Sequence, residues 1–338
     1  MVIPSKKVDV LLPTYNVEKY IRQTLDSVIS QSFHDFNLLI LDDCSNDNTF
    51  NIIKSYEKSD SRIKVFRNEE NLGVVNSRNK LFELSKSELL AICDADDIYH
   101  PTRLEKQINF LTNNEKIAAV SCNFNVGING TRITKLPTSP NLIQAYFYLK
   151  NVFPNPGAML RHSSLVKNNL LYTKEFPYVA DFHFWAKLSE NEKLANVNKS
   201  LFMYRVHDEQ ISYRKNLEQR ESHLKLLKSR LGFSIADCSN STLKSLIWHN
   251  KIHKSSQLAS VCSETDKVIR KLSQDYKDKP LVSFVFDISL KSFCKNYGIK
   301  GLQNYIKYRG LDNFLEGKLG GLAFAFDCIK KKVHDLET

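Results

Sequence analysis

The N-terminal part of the chain alternates between continuous apolar segments and amphipathic segments, and this alternation restricts the fold more than any other feature. The apolar segments are KVDVLL, FNLLILDD, IKVFRN, ELLAICDADD and IAAVSCNF. Between them, apolar residues recur at helical spacing in residues 17–32, 48–59, 74–86 and 103–114. Continuous apolar strands that alternate with helices predict an α/β fold with a mostly parallel sheet covered on both faces.

The rest of the chain is less regular and then becomes helical. The patterns predict helices at residues 141–151 and 180–191, a short strand leading into a turn at 157–165, and a strand at 200–207. From about Leu217 the patterns are helical. We therefore place a boundary near Lys215, between an α/β domain at residues 1–215 and a helical C-terminal region at residues 216–338.

Polar segments follow four of the predicted strands. Ligands of parallel sheets bind at the carboxyl ends of the strands, so these segments are expected to face one crevice. Each segment alone has an ordinary interpretation as a turn, a helix cap or a solvated helix residue. Their occurrence together at one edge favours a binding site. The segments are Pro13–Asn16, Asp42–Thr49, Asn71–Asn79 and Asp94–Asp97.

Three carboxylates lie within four residues after the fourth strand, at Asp94, Asp96 and Asp97. Like charges this close repel, and a low-dielectric site strengthens the repulsion, so we expect a cation beside them. Carboxylates without soft ligands suit Mg²⁺ or Mn²⁺, and Mg²⁺ typically combines one or two carboxylates with substrate phosphates. The motif therefore predicts a metal site for a phosphate-bearing ligand such as a nucleoside diphosphate.

The other strand ends offer groups that suit a nucleotide. Tyr15 can stack on a base, and Asp42 or Asp43 can accept the imide N–H of that base. Arg78 can face a phosphate or the base. The patterns G-x-G-x-x-G and G-x-x-x-x-G-K-[ST] do not follow any predicted strand, which disfavours a dinucleotide enzyme and a P-loop NTPase.

The formal net charge of +11 suits a phosphate-bearing ligand, a nucleic acid or an anionic membrane, and a solvated basic surface explains it equally well. No window combines a basic stripe with interleaved aromatic residues, so we expect no nucleic acid partner. The seven cysteines form no C-x-x-C pair, which argues against a disulfide framework or structural zinc and favours a reducing cytoplasm.

Both ends of the sequence bear on location. The N-terminal segment lacks the long apolar stretch of a signal peptide, and no apolar run approaches the roughly 18 residues of a membrane span. Residues 319–336 are apolar and include Lys330, Lys331 and Lys332. As a helix they could lie on the anionic inner leaflet, or they could pack as an ordinary domain-closing helix. We expect a cytoplasmic protein, with peripheral membrane contact as a hypothesis.

Three segments resemble the family 2 glycosyltransferases with the GT-A fold. They are VDVLLPTYNVEKYIRQTLDSVISQSFHDFNLLILDDCSNDNT, NLGVVNSRN and CDADDIYHP, within a resemblance that extends over about residues 6–213. The resemblance implies an inverting enzyme with a UDP-sugar donor and a divalent metal. It also implies a donor half at about residues 1–115 and an acceptor half at about 116–215. The implied donor-binding residues are Pro13, Thr14, Tyr15, Asn16, Asp42, Asp43, Asn71, Gly73, Arg78, Asp94, Ala95 and Asp96.

The D-x-D motif of the family corresponds to Asp94-Ala95-Asp96. The resemblance implies that the first aspartate meets the ribose and that Asp96 binds Mn²⁺ or Mg²⁺. It implies His207, in the segment LFMYRVHDEQIS, as a second metal ligand. Asp94 and Asp97 are further candidates for metal ligands.

The segments NPGAMLRHSSLVKNNLLYTKEFPYVADFHFWAKLSE and LFMYRVHDEQIS resemble the acceptor half of bacterial lipooligosaccharide and capsule hexosaminyl- and galactosyltransferases. In those enzymes a Glu-Asp pair precedes an apolar-aromatic helix, and its aspartate is the general base. Asp181 takes that place here, whereas Ala180 replaces the glutamate. The later Y-R-x-H pattern corresponds to Tyr204, Arg205 and His207. A His-Asn-rich stretch of close relatives is replaced by FPNPGAMLR.

The resemblance implies transfer of N-acetylhexosamine or galactose from a UDP-sugar to a hydroxyl of a growing cell-surface glycan, with a β-linked product. The glycan would be a lipooligosaccharide, a capsule or a related polysaccharide. Because Ala180 removes a neighbouring negative charge, we expect Asp181 to stay ionised and able to accept a proton. The same replacement motivates an alternative, a catalytically inactive sugar-nucleotide-binding or scaffold protein.

Overall fold

A computed structural model describes residues 7–127, 132–248, 255–276 and 279–315. Residue contacts divide the chain into two compact units. The first comprises Met1–Phe147 and Asn151–Ser222, and the second comprises Tyr148–Lys150 and His223–Thr338. All candidate site residues lie in the first unit. The domain boundary near residue 215 stays a prediction, and the segment proposed for membrane contact, residues 319–336, lies outside the described residues.

Nine strands of the described residues form one sheet in the first unit. They are β1 (Val8–Thr14), β2 (Phe36–Asp42), β3 (Ile63–Arg67), β4 (Leu89–Ile92), β5 (Ile98–Tyr99), β6 (Ile117–Val126), β7 (Arg132–Thr134), β8 (Met159–Arg161) and β9 (Lys193–Tyr204). Their order is β3-β2-β1-β4-β8-β6-β9-β5, and β7 pairs with β6. The parallel pairs are β1–β2, β1–β4, β2–β3 and β6–β9. The predicted α/β fold with a mostly parallel central sheet is confirmed, and antiparallel pairs add β8, β7 and β5.

Strand β2 shows why the central strands have no polar face. Every residue of FNLLILD is buried, and in β1 only Pro13 is half-buried. A strand that is covered on both faces needs apolar residues at successive positions rather than at alternate ones. The continuous apolar runs of the sequence therefore correspond to burial on both faces of the sheet.

Helices connect the parallel strands and form the C-terminal region, which confirms the predicted helical C-terminus. No helix of the described residues combines the length and apolar character that crossing a membrane requires. The helices are α1 (Ile21–Ile29), α2 (Thr49–Ser59), α3 (Val74–Leu84), α4 (Arg103–Thr112), α5 (Pro140–Tyr146), α6 (His162–Lys167), α7 (Ala180–Asn191), α8 (Ile211–Arg214), α9 (Asn216–Leu231), α10 (Asn240–Trp248), α11 (Ser255–Asp275), α12 (Leu281–Lys295) and α13 (Gly298–Leu315).

The sequence patterns miss β5, β7 and the first half of β9. Strands of two and three residues are too short for a periodic pattern to show. Strand β9 begins at Lys193, whereas the apolar pattern predicts a strand only from residue 200. Its first half contains lysine and asparagine residues, and it is a strand because it pairs with β6, with irregularities in register.

The carboxyl ends of the parallel strands lie side by side. Thr14 of β1 is in register with Asp42 of β2, which is in register with Arg67 of β3. On its other side, β1 pairs with β4, which ends at Ile92 just before the D-x-D motif. The polar segments that follow these strands therefore share one edge of the sheet.

The second unit has a buried cluster of ion pairs. Asp287 of α12 accepts hydrogen bonds from the Tyr305 hydroxyl and from Arg309 Nε of α13, each at 3.0 Å. Arg309 Nη1 also donates to Asp266 of α11 at 2.8 Å. One arginine thus joins three helices, and its hydrogen bonds offset part of the cost of burying the charges.

Candidate active site

The D-x-D motif forms a turn after β4, and buried side chains hold its backbone. The backbone N–H of Asp94 donates to the Tyr99 hydroxyl at 2.6 Å, and this hydroxyl lies 3.1 Å from the Asp94 carbonyl. The buried Tyr99 ring lies 4.7 Å from the guanidinium of Arg103. Arg103 donates to the carbonyls of Ile92 and Ala158 at 2.8 and 2.9 Å. The strand end that carries the carboxylates is therefore anchored from the interior.

Arg78 interacts both with the D-x-D motif and with Asp181. Its Nη2 atom lies 2.8 Å from Asp94 Oδ1 in a largely buried ion pair. Its guanidinium lies 5.4 Å from the Tyr172 ring, and its charge lowers the pKa of Asp181. The sequence predicts a cation beside the clustered carboxylates, and the protein itself supplies part of that charge through Arg78.

Asp97 is the member of the cluster that lies in the interior. One of its oxygens accepts the backbone N–H of Arg205 at 3.1 Å. The other has no hydrogen-bond partner among the described residues. Burial raises the pKa of Asp97 well above its usual value, the charges of Asp96 and Asp94 raise it further, and Arg205 opposes the shift. A metal-ligand role for Asp97 stays a prediction.

Asp96 and His207 form a pair of donors that fits a divalent cation. Neighbouring ligand atoms of an octahedral ion with bonds of about 2.0–2.1 Å lie about 3 Å apart. Asp96 Oδ2 and His207 Nε2 lie 3.0 Å apart, which is a hydrogen-bond distance and also the spacing of two such ligand atoms. The described part of the chain holds no group of three or more His, Cys, Asp and Glu side chains that could bind a metal. A cation here would complete its shell with substrate phosphates and water, as Mg²⁺ commonly does.

His207 is oriented by stacking. Metal-binding imidazoles are usually oriented by a hydrogen bond at the second ring nitrogen. In His207 this nitrogen, Nδ1, is buried and has no such partner within the described ranges. Its ring instead stacks on Tyr20, with 4.2 Å between centroids and 25° between planes. The stack on Tyr20 and the contact of Nε2 with Asp96 therefore fix the plane of the imidazole ring.

Asp181 lies in the first turn of α7, where it is half-buried. Asn151 Nδ2 donates to its Oδ2 at 3.3 Å. Burial raises the pKa of Asp181 above its usual value, Arg78 and backbone amides at the helix start lower it, and the charge of Asp94 adds an increase. The sequence-based expectation that Asp181 stays ionised considers only the charge that Ala180 removes. Burial acts in the opposite direction, because it raises the pKa of Asp181.

The predicted donor residues after β1 and β2 lie at the sheet edge. Tyr15 is 43% exposed, and a stacking partner for a base must be accessible. Asn16 has a left-handed backbone with φ of 51°, and its side-chain oxygen accepts the Asn46 N–H at 2.8 Å. Asp42 is buried and accepts the backbone N–H and the hydroxyl of Ser45 at 3.1 and 2.6 Å.

Asp43 is engaged with the loop before α3. It accepts hydrogen bonds from Asn68 Nδ2 at 2.7 Å and from the backbone N–H groups of Leu72 and Gly73 at 3.0 and 2.8 Å. Gly73 has φ of 83°, which side chains other than glycine rarely adopt. Asn71 Oδ1 accepts the same Gly73 N–H at 3.1 Å. Both Asp43 oxygens therefore shape this loop, and binding of a base by Asp42 or Asp43 stays a prediction.

The structure adds contacts that sequence patterns do not show. Arg205 and Gln210 belong to the pattern after β9, and both contact Asp96. Arg205 Nε donates to the Asp96 carbonyl, and Gln210 Nε2 lies 3.4 Å from Asp96 Oδ2. Tyr20 and Thr24, at the start of α1, reach the same site, although helical spacing alone marks them as ordinary helix residues. The one sequence signal for these contacts was the arginine of the Y-R-x-H pattern, Arg205.

Known proteins resemble this chain in sequence and in fold. The chain matches the family described as Glycosyl transferase family 2 over residues 9–168. WfgD of Escherichia coli, named UDP-Glc:α-D-GlcNAc-diphosphoundecaprenol β-1,3-glucosyltransferase, is 30% identical over 212 residues, or 62% of this chain and 80% of WfgD. The chain belongs to the family 2 glycosyltransferases.

Solved structures confirm the GT-A fold for this glycosyltransferase. Residues 1–349 of Staphylococcus aureus TarS in complex with UDP-GlcNAc align with a TM-score of 0.58 and 20% identity, covering 88% of this chain and 89% of that one. A mannosyltransferase from Pyrobaculum calidifontis in complex with GDP-Man and Mn²⁺ aligns with a TM-score of 0.54 and 13% identity, covering 98% and 88%.

Proposed function

We propose that this glycosyltransferase is a metal-dependent, inverting enzyme that moves a sugar from a UDP-sugar to a hydroxyl of a cell-surface glycan or glycolipid. The observation that carries the proposal is the pairing of Asp96 with His207 at the sheet edge, with Arg78 acting on both Asp94 and Asp181. Support for a UDP-sugar donor comes from the UDP-GlcNAc complex of TarS and from the donor in the name of WfgD.

In this proposal the donor lies at the carboxyl ends of β1, β2 and β4. Tyr15 stacks on the uracil, Asp94 accepts a hydrogen bond from the ribose, and Asp96 with His207 holds Mn²⁺ or Mg²⁺. The bound cation would neutralise negative charge on the diphosphate leaving group. The Mn²⁺ in the mannosyltransferase complex supports a metal in this fold. N-acetylhexosamine or galactose is the sugar we propose to be transferred.

Asp181 is the general base in this proposal. Its carboxylate takes the proton of the acceptor hydroxyl as the hydroxyl oxygen attacks the anomeric carbon, so an α-linked donor yields a β-linked product. A positioned base contributes roughly 10²–10⁴-fold in rate, and it works best when its pKa lies near the operating pH. The burial that raises the pKa of Asp181 acts in that direction. Asn151 orients the carboxylate through its hydrogen bond.

The acceptor and the location are proposed together. The name of WfgD specifies a diphosphoundecaprenol-linked acceptor, which supports a lipid-linked glycan of a lipooligosaccharide, a capsule or a related polysaccharide. A nucleotide-sugar donor fits a cytoplasmic setting at the inner face of the membrane. Cysteines outside disulfides fit the same setting. Cys44, Cys93, Cys122 and Cys238 are free cysteines.

A panel of nucleotide sugars tests the proposal. Thermal unfolding of the purified protein is measured with UDP-GlcNAc, UDP-GalNAc, UDP-galactose, UDP-glucose and GDP-mannose, each with Mn²⁺ and with a chelator. A ligand at 100 times its Kd stabilises the native state by about 2.7 kcal/mol, so we expect a Mn²⁺-dependent rise in Tm with at least one UDP-sugar. Absence of protection by every UDP-sugar would contradict the proposal.

The same preparation separates the enzyme from an inactive binding protein, the alternative that Ala180 motivates. Transfer to a lipid-linked acceptor, or slow hydrolysis of the protective UDP-sugar, identifies an enzyme. Protection without either reaction favours the inactive protein.

A further inference from the structure

The guanidinium of Arg205 lies between the D-x-D turn and the start of α1. Its Nε donates to the backbone carbonyl of Asp96, and its Nη1 donates to Gln23 Oε1 at 2.7 Å. Its Nη2 donates to the Tyr20 carbonyl at 3.1 Å and to Thr24 Oγ1 at 2.9 Å. One side chain therefore makes four hydrogen bonds, one to the turn and three to residues at the start of α1.

Thr24 holds the same turn from the helix side. Its hydroxyl is buried and lies 2.9 Å from the Ala95 carbonyl and 2.8 Å from the Asp97 carbonyl. A hydroxyl has one hydrogen to donate and can accept bonds as well, so it can bond to the turn while it accepts the Arg205 N–H. The backbone on both sides of Asp96 is thus fixed by α1.

Arg205 does not occupy the side-chain atoms of Asp96 that the proposed function assigns to the cation. Arg205 bonds to the backbone of Asp96 and not to its carboxylate, whose Oδ2 remains 3.0 Å from His207 Nε2. His207 follows Arg205 by two residues, and its ring stacks on Tyr20, whose carbonyl Arg205 also binds. Asp96 and His207 are therefore both held by contacts with the N-terminal end of α1.

We infer that Arg205, together with Thr24 and Tyr20, positions Asp96 and His207 at the separation that a divalent cation requires. The inference rests on the proposed metal-dependent function. Arg205 is a positioning residue, because it acts through the backbone of Asp96 and through the chain that carries His207. Lysine at this position would keep the charge, but a single ammonium cannot reproduce the planar fork that reaches four acceptors.

Binding of Mn²⁺ to the UDP complex, followed by electron paramagnetic resonance, tests the inference independently of turnover. We expect Arg205→Lys to weaken Mn²⁺ binding at least tenfold, and Thr24→Val and Tyr20→Leu to weaken it several-fold. Thr24→Ser keeps the hydroxyl and Tyr20→Phe keeps the ring, so both should retain most of the affinity. Arg62→Lys is the matched control, since Arg62 bonds to Asp60 and to the Ile29 carbonyl at the other end of α1; it should leave Mn²⁺ binding unchanged.

Thermal unfolding of each variant separates positioning from loss of fold. A variant that keeps its Tm and its UDP affinity in the presence of a chelator, but loses Mn²⁺ affinity, supports the inference. Wild-type Mn²⁺ affinity in Arg205→Lys and Thr24→Val overturns it, provided that Asp96→Asn abolishes binding. If Asp96→Asn leaves Mn²⁺ binding intact, the metal lies elsewhere and the proposed function itself fails. Should Arg205→Lys not fold, Thr24→Val and Thr24→Ser decide the question alone.

Discussion

The carboxylates at the ends of the parallel strands and the carboxylate at the start of α7 are held in different ways. Asp43 accepts three hydrogen bonds between 2.7 and 3.0 Å, two of them from backbone N–H groups. Asp181 accepts one side-chain hydrogen bond at 3.3 Å besides contacts with backbone amides of its own helix. The strand-end carboxylate is committed to shaping a loop, whereas Asp181 keeps acceptor capacity for another group.

The difference suggests how one domain uses carboxylates for separate purposes. A carboxylate that accepts several backbone N–H groups, as Asp43 does, acts as a fixed part of the fold. A half-buried carboxyl with few donors has a raised pKa and can accept a proton from a bound hydroxyl. Asp96 is intermediate, because its carboxylate contacts His207, and the proposed function assigns a cation to this pair.

Removal of the Asp96 charge should have the largest effect. Asp96→Asn should lower kcat by roughly 10³-fold, because charge stabilisation by a metal is worth several kcal/mol and about 1.4 kcal/mol corresponds to a factor of ten. Steady-state transfer assays across a Mn²⁺ series check this, and a chelator should abolish wild-type turnover reversibly. Full turnover by the metal-free wild type would contradict the role of Asp96 as a metal ligand.

Asp181→Asn should have the next largest effect. It keeps the shape of the side chain but removes its basicity, so kcat should fall by roughly 10²-fold or more, the scale of a lost general base. UDP-sugar binding and Tm should barely change, since an amide can still accept the Asn151 hydrogen bond. Near-normal turnover with the true acceptor would show that Asp181 is not the base, and Asp208 or Glu175 would be tested next.

Asp43→Asn should affect stability more than chemistry. An amide has a single acceptor oxygen and would turn its NH₂ group toward a backbone N–H. The free energy of unfolding should therefore fall by roughly 1.5–3 kcal/mol, the range for hydrogen bonds to charged groups. Denaturant unfolding measures this, with Asp181→Asn as the control that should stay close to wild type. A stable Asp43→Asn protein with impaired donor binding would instead favour the sequence-based role in base recognition.

The pH dependence of kcat should show the smallest effect. Proton transfer requires ionised Asp181, so activity should rise with pH through its pKa, which burial places above the usual value near 3.9. Arg78 lowers this pKa, so Arg78→Gln should move the acidic limb to higher pH, and Arg78→Lys should hold it near wild type. If the acidic limb lies at the same pH in wild type, Arg78→Gln and Arg78→Lys, Arg78 does not influence the pKa of Asp181.

Much of the parallel region was predictable because its signals are local. Strands β1 to β4, their helices and the strand-end motifs all appear in short stretches of sequence. The resemblance placed Asp96 and His207 in one metal site, and the structure brings the two side chains together. What sequence could not show are contacts made by backbone groups, such as the Leu72 and Gly73 amides on Asp43.

The surroundings of Asp181, the first half of β9 and the contacts of α1 depend on tertiary structure. Tyr20 and Thr24 sit in an ordinary helical pattern, and only the fold brings them to Arg205, more than 180 residues away in sequence. The polar first half of β9 is a strand because β6 lies beside it. The raised pKa of Asp181 follows from burial, which the residues around Ala180 do not reveal.

The stereochemistry of the product tests the central claim most directly. The protein is incubated with the UDP-sugar that protects it against unfolding, Mn²⁺ and a lipid-linked acceptor, and the new linkage is determined by nuclear magnetic resonance. The α-linked donor should give a β-linked product in wild type, with little product from Asp181→Asn and Asp96→Asn. An α-linked product would contradict direct attack by a hydroxyl that Asp181 deprotonates.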